Sequence, residues 1–298
     1  MTEINELLTI RDFLRWTTSR FNEAGLYYGH GTDNAWDEAT ALLLHTLFLP
    51  HHPSGDILDA RLTTPEKNQL ITLIQRRIQE RIPLPYLTHE AWFAGLGFYV
   101  DERVLIPRSS MAELIENQFQ PWIDPETIHH ILDLCTGSGC IAVAAANYFP
   151  DAEIDATDIS EEALTVAKKN ILRHHLEQQI NLHQADLFNG LPQKKYDVII
   201  SNPPYVNNEE MAALPKEYHH EPALGLKAGE DGLNIVLQIL KNATPYLSPQ
   251  GILIVEVGNS ESALIEKFPH IPFTWIEFQR GEDGVFLLTH KELMRYFG

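Results

Sequence analysis

The chain has 298 residues, 44 % hydrophobic and 9 % aromatic, ordinary globular usage at a length that suits about two domains. Wholesale disorder is excluded, because enough apolar side chains are present to build a sizeable core. A formal charge of −19 disfavours a sequence-independent nucleic-acid binder or an anionic-membrane binder and fits a basic partner better.

The start, Met1-Thr2-Glu3-Ile4-Asn5-Glu6, lacks a basic stretch followed by an apolar one. No run approaches the roughly 18 apolar residues of a membrane span, so a cytoplasmic protein is expected. The first hundred residues show helical spacing in Leu7, Ile10 and Leu14, then Ala39, Leu42, Leu43 and Leu47, then Leu70, Leu73, Ile74 and Ile78. Asp33, Asn34 and Thr64 are candidate caps, Pro65 suits a first helical turn, and Pro83 and Pro85 are expected to end the region. A helical N-terminal domain over 1–88 follows. Two short aromatic and β-branched runs, 91–95 and 98–106, then suggest a hairpin linker over 89–109.

From about residue 110 to 298 strands and helices alternate. Strands are expected at 128–134, 153–158, 180–184, 196–201 and 252–257, and helices at 138–148, 160–176 and 233–247, with Ser160 as a cap. This series describes an α/β fold with a mainly parallel sheet and helices on both faces. The last strands, 274–279 and 285–289, are joined by only Arg280-Gly281-Glu282-Asp283-Gly284, which permits an antiparallel hairpin but no crossover. The interval from Pro203 to Gly232 is long for a loop and is a candidate functional segment.

After the first of these strands the chain reads Asp133-Leu134-Cys135-Thr136-Gly137-Ser138-Gly139-Cys140-Ile141-Ala142. Gly137, Gly139 and Ala142 fit a strand-to-helix turn whose small residues let a ligand approach the backbone. Asp158 ends the second strand, 19 residues after Gly139, where a carboxylate can accept hydrogen bonds from both hydroxyls of a ribose. A dinucleotide would bring a pyrophosphate beside Asp133 and be repelled, whereas the sulfonium and ammonium of S-adenosylmethionine gain from an acid. Asp186 could accept an adenine amine while Leu187 packs on the ring. Cys135, Thr136 and Ile159, on the same turn and strand end, complete the cofactor candidates together with Asn202. Cys135 and Cys140 form no Cys-x-x-Cys pair and are read as small thiols. Fourteen histidines, several in adjacent pairs, suggest no metal site, since neighbours on a helix do not share a face.

The fourth strand runs into Asn202-Pro203-Pro204-Tyr205. Two prolines fix the backbone and remove two donors, leaving the Asn202 side-chain oxygen and the Pro203 carbonyl as acceptors on a stiff turn. Such acceptors suit an NH₂ group on a planar nitrogen, and Tyr205 offers a flat face beside it. Holding both N–H bonds would aim the nitrogen at the donor methyl and favour the charge that develops there.

At these residues the chain resembles class I S-adenosylmethionine-dependent methyltransferases with the N-P-P-Y signature. Gly97-Phe98-Tyr99-Val100 and Val104-Leu105-Ile106-Pro107-Arg108 resemble the linker of the HemK-like protein-glutamine methyltransferases, and the helical N-terminal domain also matches, so the likeness covers nearly the whole chain. Cys135, where release-factor enzymes of that family usually have glycine, and the stretch from Glu209 to Pro222 resemble the branch that modifies large-subunit ribosomal protein three. The resemblance implies a Rossmann-like seven-stranded sheet with a final antiparallel strand, and methylation of a glutamine amide. It implies catalytic roles for Asn202, Pro203 and Tyr205, substrate binding by these with Pro204 and Glu221, and a cofactor site at Asp133, Gly137, Asp158 and Asp186. His219, His220 and Glu221 either contact a polypeptide substrate or shape their loop, and the N-terminal domain is expected to grip the substrate. Release-factor methylation, a nucleic-acid amino-methyltransferase and a non-catalytic ribosome-assembly protein are the alternatives.

Overall fold

The computed structural model describes residues 5–279 and 283–298. The Met1 to Ile4 start and three residues of the last hairpin connection, Arg280, Gly281 and Glu282, lie outside the described residues. The chain forms two compact units, one comprising the chain up to Glu90 together with Pro215–His220, the other Ala91–Leu214 and Glu221–Gly298.

The first unit is helical. α1 (Ile10–Glu23) begins with a reciprocal cap: Thr9 Oγ1 accepts from the Asp12 amide at 3.1 Å and Asp12 accepts from the Thr9 amide at 2.9 Å. Its buried stripe of Ile10, Phe13, Leu14 and Phe21 packs with Leu42 and Leu43 of α2 (Ala35–Thr46) and with Leu70 and Ile74 of α3 (Thr64–Gln79). Asn34 caps α2 as expected, but α3 is capped by Thr63 rather than Thr64, because Glu66 reaches back to the Thr63 amide at 2.7 Å. Pro85 does not end the region; its fixed φ suits the first turn of α4 (Leu84–Thr88). The core of this unit contains Arg77, 1 % exposed, whose Nε meets Glu38 at 2.6 Å, Nη1 meets Glu217 at 3.2 Å and Nη2 donates to the Tyr27 carbonyl at 2.8 Å.

The second unit opens with a hairpin, β1 (Ala91–Phe93) and β2 (Leu96–Phe98), whose antiparallel register pairs Phe93 with Leu96. Ala94 and Gly95 both have positive φ, the requirement of a tight two-residue turn. The second arm is therefore at 96–98, not 98–106, and the residues beyond it run on as a non-regular linker into α5 (Met111–Glu116).

The main sheet contains β3 (His130–Leu134), β4 (Glu153–Asp158), β5 (Ile180–Gln184), β6 (Tyr196–Ser201), β7 (Leu247–Glu256), β8 (Thr274–Trp275) and β9 (Val285–Thr289) in the spatial order β5-β4-β3-β6-β7-β9-β8. β3 to β7 are parallel and β9 is antiparallel to both neighbours. Alternate residues feed opposite layers: Ile131, Ile154, Val198 and Ile254 one core, Leu132, Ile199, Leu253 and Phe286 the other. α6 (Cys140–Tyr148) and α7 (Glu161–Arg173) follow β3 and β4, with Ser160 Oγ accepting from the Ala163 amide as a cap.

Several boundaries differ from expectation for local reasons. α7 stops at Arg173, and His175 beyond it takes positive φ. α9 (Asn234–Asn242) gives way before Pro245 to a short 3₁₀ turn, and β7 starts at Leu247 rather than 252. The long interval after Tyr205 holds α8 (Asn208–Ala213) and two 3₁₀ turns. Two short helices, α10 (Glu261–Lys267) and α11 (His290–Phe297), are additional. No helix among the described residues is long and apolar enough to cross a membrane.

Candidate active site

Chain order reverses direction at β3, which lies between β4 and β6, the place where open α/β sheets bind ligands beyond the carboxyl ends of their strands. A cavity of about 410 Å³ lies there, within the second unit. Cys135, Thr136 and Gly137 line it from the β3 end, Asp158 and Ile159 from the β4 end, and Asp186 and Leu187 from beyond β5. Asn202 and Pro204 close it from β6, and the linker supplies the remaining wall through residues 102–109.

The glycine turn takes left-handed backbone at Cys135 (φ +61°), Gly137 (φ +54°) and Gly139 (φ +79°). A side chain at Gly137 would meet nothing within 4 Å, so the backbone there is open to a ligand. Gly139 does different work: a Cβ would lie 3.1 Å from Ala167 Cβ, so its bareness lets α7 pack on the turn, and it does not line the cavity. Cys135 holds the left-handed shape at a steric cost of about 1 kcal/mol, which accounts for glycine being the ready alternative at this position. Burial pushes its thiol well above the ordinary range.

Asp133 lies beneath the turn, fully buried, and does not line the cavity. Its Oδ2 accepts from Thr136 Oγ1 at 2.5 Å and from the Ala142 amide at 3.2 Å, while Oδ1 has no hydrogen-bond partner among the described residues. Burial, helped by the charge of Asp158, pushes its pKa up to about 7. Asp158 accepts from the Gly137 amide and the Ser160 amide, both at 2.9 Å, and burial outweighs these bonds and raises its pKa. The Ile159 amide also donates to it, and a carboxylate with four lone-pair sites still has room for a further donor. Asp186 is exposed, Leu187 is 8 % exposed, and Ile159 presents an apolar surface at 52 % exposure.

On the β6 side Ser201 donates to the Leu134 carbonyl at 2.9 Å and ties the strand ends together. Asn202, half-buried on the cavity wall, makes no hydrogen bond through its carboxamide to any described residue. Pro203 is buried behind it. Glu221 is not on the cavity surface: its carboxylate accepts both arms of Arg108, at 2.6 and 2.8 Å, and the Ile106 amide at 3.0 Å.

The Methyltransferase small domain family matches residues 115–217. Over 290 residues, 97 % of each chain, the sequence is 52 % identical to the ribosomal protein uL3 glutamine methyltransferase of Neisseria gonorrhoeae. The protein of the same name from Neisseria meningitidis serogroup A matches equally, covered over 95 % of its length. This chain belongs to the ribosomal protein uL3 glutamine methyltransferase family. The crystal structure of the hMettl16 catalytic domain in complex with MAT2A 3′UTR hairpin 6 shares the fold, with a TM-score of 0.52 at 19 % identity, over 76 % of this chain and 82 % of that one.

In this methyltransferase the residues that hold Tyr205 are ones that sequence reasoning missed. Its hydroxyl donates to Glu256 Oε1 at 3.0 Å, and its carbonyl accepts from Ser260 Oγ at 2.9 Å. A Cβ at Gly258 (φ +46°) would come within 2.6 Å of Tyr205 Cε2, so the ring lies directly on that glycine. The available signal was positional: Glu256 ends β7 at the same edge of the sheet as Asp158 and Asn202.

Proposed function

We propose that this methyltransferase carries a methyl group from S-adenosylmethionine to the side-chain amide nitrogen of a glutamine in ribosomal protein uL3, in the cytoplasm. The observation that carries the reading is the Asn202 carboxamide, presented on the cavity wall from a stiff proline turn with its hydrogen-bonding capacity unspent on the described fold. The substrate follows from the two Neisseria relatives, and the charge of −19 complements a basic ribosomal protein.

The residues present fit the donor. Asp158 keeps acceptor capacity for a ribose hydroxyl, Ile159 and Leu187 offer apolar surfaces for adenine, and Asp186 is exposed to accept its amine. Asp133, buried beneath the turn and off the cavity wall, supports the site from below by holding Thr136 and the Ala142 amide, and the bare Gly137 backbone above it is open to the donor. When bound, S-adenosylmethionine supplies an electrophilic methyl on positively charged sulfur. Asn202 Oδ1 and the Pro203 carbonyl accept the two N–H bonds of the target amide, orient its nitrogen and favour the positive charge that grows there. Tyr205 lies against the planar amide, and Pro204 keeps the turn rigid. After transfer the nitrogen gives up a proton to solvent or to a neighbouring acceptor, so no strong base is needed. We assign residues 1–88 to substrate recognition, 89–109 to the linker and 110–298 to the methyltransferase domain, with the excursion Pro215–His220 packing in the helical unit.

Purified uL3 and a peptide release factor, offered in parallel with S-adenosylmethionine, test the reading by mass mapping. Methylation of a uL3 glutamine is expected, with the release factor the poorer substrate. Absence of any methylated glutamine in uL3 overturns it.

A further inference from the structure

We infer that Glu256 is a positioning residue that sets the ring of Tyr205 and ties the acceptor turn to the linker wall of the cavity. This rests on the reading of Tyr205 as part of the acceptor site.

Glu256 is 7 % exposed, at the last position of β7, where it pairs with Val285 of β9 in the interior of the sheet. Glu256 is held by the β9 ladder on one side, and its neighbour Val255 is paired with Ser201 of β6 on the other. Its two carboxylate oxygens are divided between two hydroxyls from distant parts of the chain. Oε1 takes Tyr205 at 3.0 Å, and Oε2 takes Ser109 at 2.5 Å. Ser109 is the end of the linker wall and itself accepts from the Met111 amide at 3.2 Å. One buried carboxylate therefore connects the linker to the proline turn.

A tyrosine ring has two soft torsions, and both are restrained here. The face rests on Gly258, where no Cβ intervenes, and the hydroxyl is anchored by a charge-assisted hydrogen bond. Further support comes from behind: a Cβ at Gly284 would lie 2.7 Å from Gly258 Cα, and one at Gly232 would lie 2.3 Å from the Tyr205 carbonyl. Gly258 and the Glu256 carboxylate thus restrain the ring itself, while Gly284 and Gly232 let the backbone pack closely behind it. A planar amide packed against that ring inherits its orientation, which is the geometric requirement for attack by a weakly nucleophilic nitrogen.

The test compares Glu256→Ala, Glu256→Gln, Tyr205→Phe and the double variants in uL3 methylation, with donor affinity measured separately by calorimetry. Glu256→Ala is expected to lower kcat about 30-fold or more with donor Kd changed less than about threefold, and glutamine, which keeps an acceptor and the shape, to recover most of the loss. Tyr205→Phe combined with Glu256→Ala should be no worse than the poorer single variant, because both remove the same bond. The pH profile of Glu256→Gln should match that of the parent. Glutamine as damaging as alanine, with a changed pH profile, would assign Glu256 a proton-transfer role and overturn the inference, as would additive losses. Should the alanine variant fail to fold, Tyr205→Phe against Tyr205→Phe with Glu256→Gln decides the point: a further drop in kcat contradicts it. Fluorotyrosine at position 205 gives a readout independent of turnover. Its fluorine line should be single and narrow in the parent and broadened or split once Glu256 is replaced by alanine, and an unchanged line contradicts the inference. Failure of the parent protein to methylate uL3 would instead refute the proposed function, leaving the fluorine line to decide this one.

Discussion

Arg108 forks onto Glu221 at 2.6 and 2.8 Å, and the same carboxylate takes the Ile106 amide at 3.0 Å. The linker wall of the cavity is thereby fastened to the segment that follows the proline turn. Since the Glu221 side chain is fully buried, Glu221→Ala removes the acceptor for three donors at once, and a loss of about 3 kcal/mol is expected. Urea unfolding checks it: the midpoint should fall with the slope unchanged. Glu221→Gln should cost clearly less.

Gly258→Ala places a methyl group 2.6 Å from a Tyr205 ring carbon at a backbone angle of +46°. Neither the sheet edge nor Gly284 behind it leaves room to retreat. A fall in kcat of about a hundredfold is expected from displacement of the ring, with a smaller effect on donor affinity. Steady-state kinetics beside donor calorimetry will separate the two.

How far these contacts are visible in the sequence depends on their range. β4 and β6 are legible to the residue: β6 has the apolar core Val198-Ile199-Ile200, and β4 is a short segment with β-branched Ile154 and Thr157, bounded by Pro150-Asp151 before it and the Ser160 helix cap after it. The glycine turn, Asp158 and the Asn202 to Tyr205 turn are likewise local, and all fall at one edge of the sheet. Glu256 was not legible: it reads as the polar end of an apolar strand, and only the placing of β7 beside β6 brings it to Tyr205. The membership of Pro215–His220 in the helical unit was equally hidden, since nothing local to Glu217 announces its pairing with Arg77. Pro85 was misread because proline serves both helix ends and helix starts, and the tertiary setting decides which.

Arg77 holds Glu38 and Glu217 inside the helical unit, with all three side chains 3 % exposed or less. Arg77→Ala leaves Glu38 with the Thr32 hydroxyl and Glu217 with the Tyr27 amide and the longer 3.5 Å pairing to Arg81, so a loss of about 3 kcal/mol is expected. The Glu217 carboxyl lies below its ordinary 4.5, a shift in which hydrogen bonds from Tyr27 and Arg77 overcome burial. Its contribution is present above pH about 4.5 and is lost as the pH falls through the lowered folded value. Thermal unfolding across acid pH should show that loss in the parent and a smaller one in Arg77→Ala, where the Tyr27 amide still holds the carboxylate.

Asp133 titrates in the opposite sense. Its folded pKa is raised from 3.8 to about 7, so the folded protein holds a proton that the unfolded chain releases. Its contribution is full below pH about 3.8 and is lost progressively as the pH rises through about 7. Asp133→Asn should flatten the stability profile between these limits and raise stability at pH 8 relative to the parent, at the cost of donor affinity. Urea titrations at a series of pH values, with donor calorimetry, provide the check.

The most direct measurement of the central claim is methyl transfer to purified uL3 by the parent protein and by Asn202→Ala, with mass mapping of the product and donor affinity recorded for both. The parent should methylate one glutamine; Asn202→Ala should lose more than about 99 % of turnover while donor affinity changes far less. Turnover by Asn202→Ala equal to that of the parent would contradict the assignment of the target amide to the proline turn.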